Sequence, residues 1–351
     1  MRRLVSAAAA AVIAVATTST LHAEPARPVY SPDGVVKAPA FELPPSSLMS
    51  AEAAALLKLR AQAPASSGSP RSGGDIAQMR QGVEKVLAPN LAAMRERYPV
   101  EIVEQTVAGV PVRIITPKGR PADAKRVLIN LHGGGFIMCA DACALLESLP
   151  IASLGGFKVI SVNYRQSPEA KFPAASEDIA AVYKSLLKTY KPRQIGIYGC
   201  SAGGSLSAAA AAWLPAHGLP QAGAIGVFGA GAVPFFTGDS AYTAAYTEGS
   251  FPTPPVTFPY FAGADMSDPM ISPGLHPELL AKFPPTLLIT GTRAFDMSPA
   301  VYTHSLLVKA GVPGDLIVGE GLGHCYMYTP GLPESQDAYR AIVKFFKSNL
   351  G

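Results

Sequence analysis

The stretch Ile195-Gly196-Ile197-Tyr198-Gly199-Cys200-Ser201-Ala202-Gly203-Gly204-Ser205 reads as a short strand, a sharp turn and the start of a helix. Residues 195–198 form a small apolar run, and 205–212 are small residues that pack as a helix. Between them, G-x-S-x-G at 199–203 puts a serine where only small neighbours are tolerated. The hydroxyl of such a serine faces outward, and the helix N-terminus behind it favours developing negative charge. The bare motif is common by chance, and the flanking strand and helix make it specific. Ser201 is the candidate nucleophile.

Outward from this point, strands alternate with helices. Strands are expected at 101–107, 112–116, 127–131, 159–162, 195–198, 225–228, 286–289 and 316–318. Several are unbroken apolar runs bounded by Gly or Pro, as in strands buried on both faces of a mostly parallel sheet. Helical patterns at 176–190 and 300–310 separate them. A last helix at 335–350 places Tyr339, Ile342, Val343 and Phe346 on one stripe. The fold class is therefore α/β, with an eight-stranded sheet in one domain over 101–351. Residues 24–100 read as an extended arm and helices. One helix follows Ser50, and a second follows Asp75 with Ile76, Met79, Val83, Val86 and Leu87 on one face. A flexible linker is expected between them at 63–74. An insertion at about 231–275 interrupts the alternation. Within it, 235–261 holds eight aromatics in 27 positions (Phe235, Phe236, Tyr242, Tyr246, Phe251, Phe258, Tyr260, Phe261), broken by prolines. A lid or pocket wall is expected there.

A nucleophilic serine needs a base, an acid to orient it and donors for the oxyanion. Leu131-His132-Gly133-Gly134-Gly135-Phe136 ends a strand with three glycines that leave backbone N–H groups unshielded. With the amide of Ala202 it completes an oxyanion hole. It is not a Walker loop, which requires a Lys at a fixed position. His132 is expected to be a structural hydrogen-bonding residue. Of the other histidines, His22 lies in the leader, while His217, His276 and His304 sit on or beside helices. His324, in Gly321-Leu322-Gly323-His324, follows a strand on a glycine loop and is the candidate base. Asp296 follows the strand at 286–289 and gives the order Ser201, Asp296, His324.

With these residues in hand, the chain resembles the α/β-hydrolase fold, and specifically the bacterial hormone-sensitive-lipase-like esterase family. The matching motifs are HGGGF at 132–136, Tyr164-Arg165-Gln166-Ser167-Pro168-Glu169, G-C-S-A-G-G at 199–204, and the Asp296 and His324 segments. The resemblance covers about 100–350. It implies Ser201 as nucleophile, His324 as general base, Asp296 as orienting acid, and the amides of Gly134, Gly135 and Ala202 as oxyanion donors. It also implies that Glu169 buttresses the site through hydrogen bonds, that short-chain carboxylic esters are cleaved without metal or cofactor, and that N-terminal helices form a cap. The sequence departs from the family pattern at three places. Cys200 stands where Asp is usual, Cys325 where Gly is usual, and Asp296 lies two residues later than the acid of relatives that read G-T-R-D. Glu320 is the alternative acid.

Composition narrows the partners. The 351 residues carry a net charge of +4, with no basic run interleaved with aromatics, so nucleic-acid binding is excluded. Met1-Arg2-Arg3, an apolar run over 4–16 and small Ala23 before Glu24 read as a cleaved signal peptide over 1–23. A soluble periplasmic or secreted protein without a membrane anchor is expected. Cys139 and Cys143 lack further ligands at zinc spacing, so no metal site is expected. Cys200 and Cys325 flank the candidate nucleophile and base. Two buried free thiols are expected there, with a disulfide as the alternative. The partner is a small-molecule ester, and self-association as a homodimer is left open. Lactone opening uses the same machinery, and a non-catalytic small-molecule receptor on this fold is the alternative from another class.

Overall fold

The computed structural model describes residues 27–60, 75–248 and 256–351. The leader at 1–23, the linker at 63–74, Phe251 and the side chain of Tyr246 lie outside the described residues. The chain divides into two units, one ending at Pro44 and one starting at Pro45. Within the first, β1 (Val29–Tyr30) pairs antiparallel with β2 (Val36–Lys37).

The second unit opens with α1 (Ala51–Arg60) and α2 (Ile76–Arg97). Ser50 caps α1 by accepting the Ala53 N–H at 3.1 Å, and Asp75 caps α2 by accepting that of Ala77 at 2.9 Å. The helix after Asp75 begins where expected, and Val83 and Leu87 of the expected face pack together with Leu91, whereas Val86 is 75% exposed. Next, β3 (Val100–Val107) and β4 (Val110–Pro117) form a hairpin. Its two turn residues, Ala108 and Gly109, both have positive φ, the conformation that matches strand twist.

From β5 (Val127–Leu131) onward the strands run parallel: β6 (Lys158–Val162), β7 (Ile195–Cys200), β8 (Ala224–Phe228), β9 (Thr286–Gly291) and β10 (Gly314–Gly319). The sheet order is β10-β9-β8-β7-β5-β6-β4-β3, so all eight expected strands are present. Every residue of β5, β7, β8 and β9 is buried, which explains their unbroken apolar runs. One face is covered by α4 (Ala174–Leu186), α5 (Ala202–Ala216) and α8 (Met297–Lys309). The other is covered by α2, α3 (Ala142–Gly155) and α9 (Pro333–Asn349), whose stripe of Tyr339, Ile342, Val343 and Phe346 is buried as expected. Two short helices, α6 (Ser240–Glu248) and α7 (Pro277–Leu280), belong to the insertion between β8 and β9.

The sheet order reverses beside β5: the chain steps from β5 to β6 on one side, then returns to β7 on the other. Ligands of open α/β sheets bind outside the carboxyl ends of strands at such a switch point. Both the glycine loop and the Ser201 turn emerge there. Close approach at this point demands glycine. A Cβ on Gly203 would stand 1.7 Å from the Leu131 carbonyl oxygen, and one on Gly199 would stand 2.0 Å from the same atom. Gly203→Ala is therefore expected to lower stability by about 3 kcal/mol through overpacking. The control is Gly331→Ala, where a Cβ meets nothing within 4 Å. Equal denaturant midpoints for the two variants would refute the close contact.

Candidate active site

Ser201 occupies φ 59° and ψ −125°, a conformation that costs a non-glycine residue energy and concentrates at functional sites. Its N–H donates to the Phe228 carbonyl at 2.8 Å, which fixes the turn to β8. Its side chain makes no capping hydrogen bond to α5, the helix that starts behind it. The glycine loop lies alongside. A Cβ on Gly133 would come within 3.4 Å of Ser201 Cβ and 3.0 Å of the Cys200 carbonyl oxygen. Gly134 and Gly135 have φ of 116° and 62° and are half-buried, whereas Ala202 is fully buried.

His324 and Asp296 meet. His324 Nδ1 is 2.5 Å from Asp296 Oδ1, and the Thr290 hydroxyl donates to Asp296 Oδ2 at 2.5 Å. Asp296 is wholly buried. It stands at the N-cap position of α8, yet its side chain makes no cap bond, because both oxygens are used elsewhere. The two extra residues before it fold as a tight turn, closed by Ala294 N–H to Gly291 O at 3.1 Å and Met297 N–H to Ala294 O at 3.2 Å. That turn buries Phe295 against the His324 ring, with centroids 4.4 Å apart. The carboxylate beside His324 is thus Asp296; Glu320 is half-buried at the end of β10.

Both cysteine pairs are disulfides. This corrects the expectation of free thiols at Cys200 and Cys325, which are bonded to each other, as are Cys139 and Cys143. The fold brings their Cα atoms to 6.4 Å and 5.3 Å respectively, within bonding range. The Cys200–Cys325 bond ties the residue before Ser201 to the residue after His324. Gly229, directly after β8, leaves room for it: a Cβ there would meet Cys325 Sγ, His324 Cε1 and Cys200 Sγ at 3.0–3.1 Å.

His132 is buried and stacks on Tyr164 with centroids 4.4 Å apart. Its Nδ1 is 2.7 Å from the Gly133 carbonyl oxygen. Burial lowers its pKa to about 4, so the ring is neutral near pH 7 and holds the loop rather than moving protons. Glu169 turns toward α2. Its carboxylate receives Arg80 Nη1 at 2.7 Å and Nη2 at 2.8 Å, while Arg80 Nε donates to the Ile137 carbonyl at 2.7 Å. The hydrogen bonds that the structure shows for the Glu169 carboxylate go to Arg80, and the Glu169 side chain is 61% exposed. The bond to Glu169 holds the Arg80 pKa up and that of Glu169 down. Glu84, also on α2, accepts the Asp141 and Ala142 N–H groups and so caps α3.

The sequence reading missed Glu147 of α3. This side chain is 1% exposed and accepts hydrogen bonds from Gly133 N–H at 2.9 Å, Asn130 Nδ2 at 2.8 Å, Cys200 N–H at 3.2 Å and the Tyr328 hydroxyl at 2.5 Å. Burial pushes its pKa up to about 7 against the pull of those bonds.

Residues 128–328 match the profile of the alpha/beta hydrolase fold family, more than half of the chain. The chain belongs to that family. An acetyl-hydrolase of Streptomyces hygroscopicus is 29% identical to this hydrolase over 231 residues, covering 64% of this chain and 77% of the relative. An arylacetamide deacetylase of Oryctolagus cuniculus is 37% identical over 123 residues, but the match covers only 32% of this chain and 30% of that protein. Among solved structures, the esterase E25 superposes with a TM-score of 0.76 at 27% identity, covering 90% of this chain and 99% of that one. An esterase from the bacterial hormone-sensitive lipase family superposes with a TM-score of 0.73 at 28% identity, covering 86% and 97%.

The aromatic segment of this hydrolase walls a cavity of about 560 Å³. Phe136, directly after Gly135, forms one wall, with Phe258 and Phe261 edge-on to its ring at 5.3 Å and 4.9 Å. Phe236 forms another and stacks on Phe295 at 4.7 Å, which in turn contacts His324. The cavity reaches Ser205, one turn beyond Ser201 on α5. Its size suits a small ligand, and its lining is mostly apolar.

Proposed function

We propose that this hydrolase is an exported serine carboxylesterase acting on short- to medium-chain esters through Ser201, His324 and Asp296. The observation that carries the reading is the 2.5 Å contact of His324 with buried Asp296, on loops that a disulfide ties to the strained Ser201 turn. His324 takes the Ser201 proton through Nε2 while its Nδ1–H stays on Asp296. The Ser201 oxygen attacks the ester carbonyl, and the amides of Gly134, Gly135 and Ala202 hold the oxyanion. His324 then protonates the leaving alcohol, and water activated by the same ring releases the acyl group. The esterases and the acetyl-hydrolase it resembles support this chemistry. Export is supported by the leader-like sequence at 1–23 and by two disulfides, which persist in oxidising compartments. No helix among the described residues is long and apolar enough to cross a membrane.

The test is hydrolysis of p-nitrophenyl esters of increasing acyl length. The expected profile peaks at short chains and falls beyond about eight acyl carbons, as the cavity of limited volume fills. Failure to cleave any ester up to that length would overturn the reading.

A further inference from the structure

Glu147 is the single charged residue of α3, a helix buried on nearly every side. Such burial of a carboxylate is costly unless every lone pair is used. Here Oε1 takes Gly133 N–H and the Tyr328 hydroxyl, and Oε2 takes Asn130 Nδ2 and Cys200 N–H. Gly133 opens the glycine loop, Cys200 precedes Ser201, and Tyr328 follows His324 by four residues. One side chain thus touches all three segments that carry the proposed machinery.

We propose that Glu147 is a positioning residue for ester hydrolysis, its ionised carboxylate locking the glycine loop to the nucleophile turn. The inference rests on the assignment of Ser201 and His324 above. Four donors converge on two oxygens, and only a carboxylate accepts from all of them. In Glu147→Gln the new amide N–H groups face donors on one side, so either the Gly133 anchor or the Cys200 anchor is lost. Protonation of Glu147 has a related effect, because the protonated oxygen must donate where it had accepted. The groups around it do not change charge in this range. Tyr328, Tyr198 of β7, Tyr164 after β6 and Tyr339 of α9 are phenols pushed upward by burial, and His132 is neutral above about 4. Glu147 itself titrates at about 7. Activity therefore falls as Glu147 takes up a proton, because the lock on the glycine loop opens with it.

The experiment compares the parent, Glu147→Gln and Tyr328→Phe with p-nitrophenyl acetate across about pH 5 to 9. A p-nitrophenyl phosphonate ester counts competent Ser201 by the nitrophenolate released. In Glu147→Gln, kcat is expected to fall about 100-fold with KM nearly unchanged, the size of losing one oxyanion donor. The acid limb of log kcat/KM should be shallower in Glu147→Gln than in the parent, because the amide does not titrate, and a merely structural role would not produce this. Tyr328→Phe removes a bond that lowers the Glu147 pKa, so its acid limb should move to higher pH. This second variant decides the matter if Glu147→Gln does not fold, and an unmoved limb overturns the proposal. A parental burst with an unaltered Glu147→Gln rate and slope overturns the proposal alone. A parent that releases no nitrophenolate overturns the Ser201 assignment, and this inference with it.

Discussion

Ser201→Ala is expected to lower kcat for ester hydrolysis by about six orders of magnitude while leaving the fold intact. In the proposed mechanism the hydroxyl supplies the attacking oxygen, and neither Cys200, held in a disulfide, nor Ala202 can replace it at the turn. Alanine keeps the Cβ and meets the same backbone cost at φ 59°. It also keeps the N–H bond to the Phe228 carbonyl. The thermal midpoint and the binding of a non-hydrolysable ester analogue should therefore match the parent. What remains is the background rate given by binding and the oxyanion amides. A variant that hydrolyses p-nitrophenyl acetate at the parental rate would remove Ser201 as nucleophile.

Asp296→Asn is expected to cost about four orders of magnitude in kcat with little loss of stability. The carboxylate accepts from His324 Nδ1 at 2.5 Å and so keeps the proton on that nitrogen. An amide turned the other way donates to Nδ1 and moves the ring proton to Nε2, which then cannot take the Ser201 proton. Thr290 favours this inversion: its hydroxyl donates at 2.5 Å to the other oxygen and would hold the Asn carbonyl there. Glu320→Gln is the matched comparison and should hydrolyse at the parental rate. Loss of activity in Glu320→Gln with survival in Asp296→Asn would exchange the two acids.

The parallel sheet was legible because strands buried on both faces need apolar side chains at every position, as Val127-Leu128-Ile129 and Leu287-Leu288-Ile289 show. The Ser201 turn was legible because close passage against Leu131 tolerates only glycine at 199 and 203. Side-chain pairing was less legible. Cys200 and Cys325 are 125 residues apart, and nothing local records that β8 is followed by a glycine, Gly229, that admits both sulfurs. Glu169 sits in a family motif, but its partner Arg80 belongs to a helix 89 residues earlier. Glu147 looks like an ordinary helix acid beside Leu145 and Leu146. The signal was available in its surroundings, since a helix apolar all round must be buried, and a lone acid in it must be partnered.

The bond between Cys200 and Cys325 has a thermodynamic side. It closes a loop of 125 residues, running from the nucleophile turn past β10 to the base. In the loop-entropy account, such a closure removes roughly 4–5 kcal/mol of freedom from the unfolded chain at 25 °C. Opening it would multiply the unfolded fraction by about three orders of magnitude before any native contact is disturbed. The Cys139–Cys143 bond, which spans a separation of only four residues, has little chain to restrain. A single covalent link, next in sequence to Ser201 and His324, is thus also the larger entropic constraint of the two on the unfolded chain.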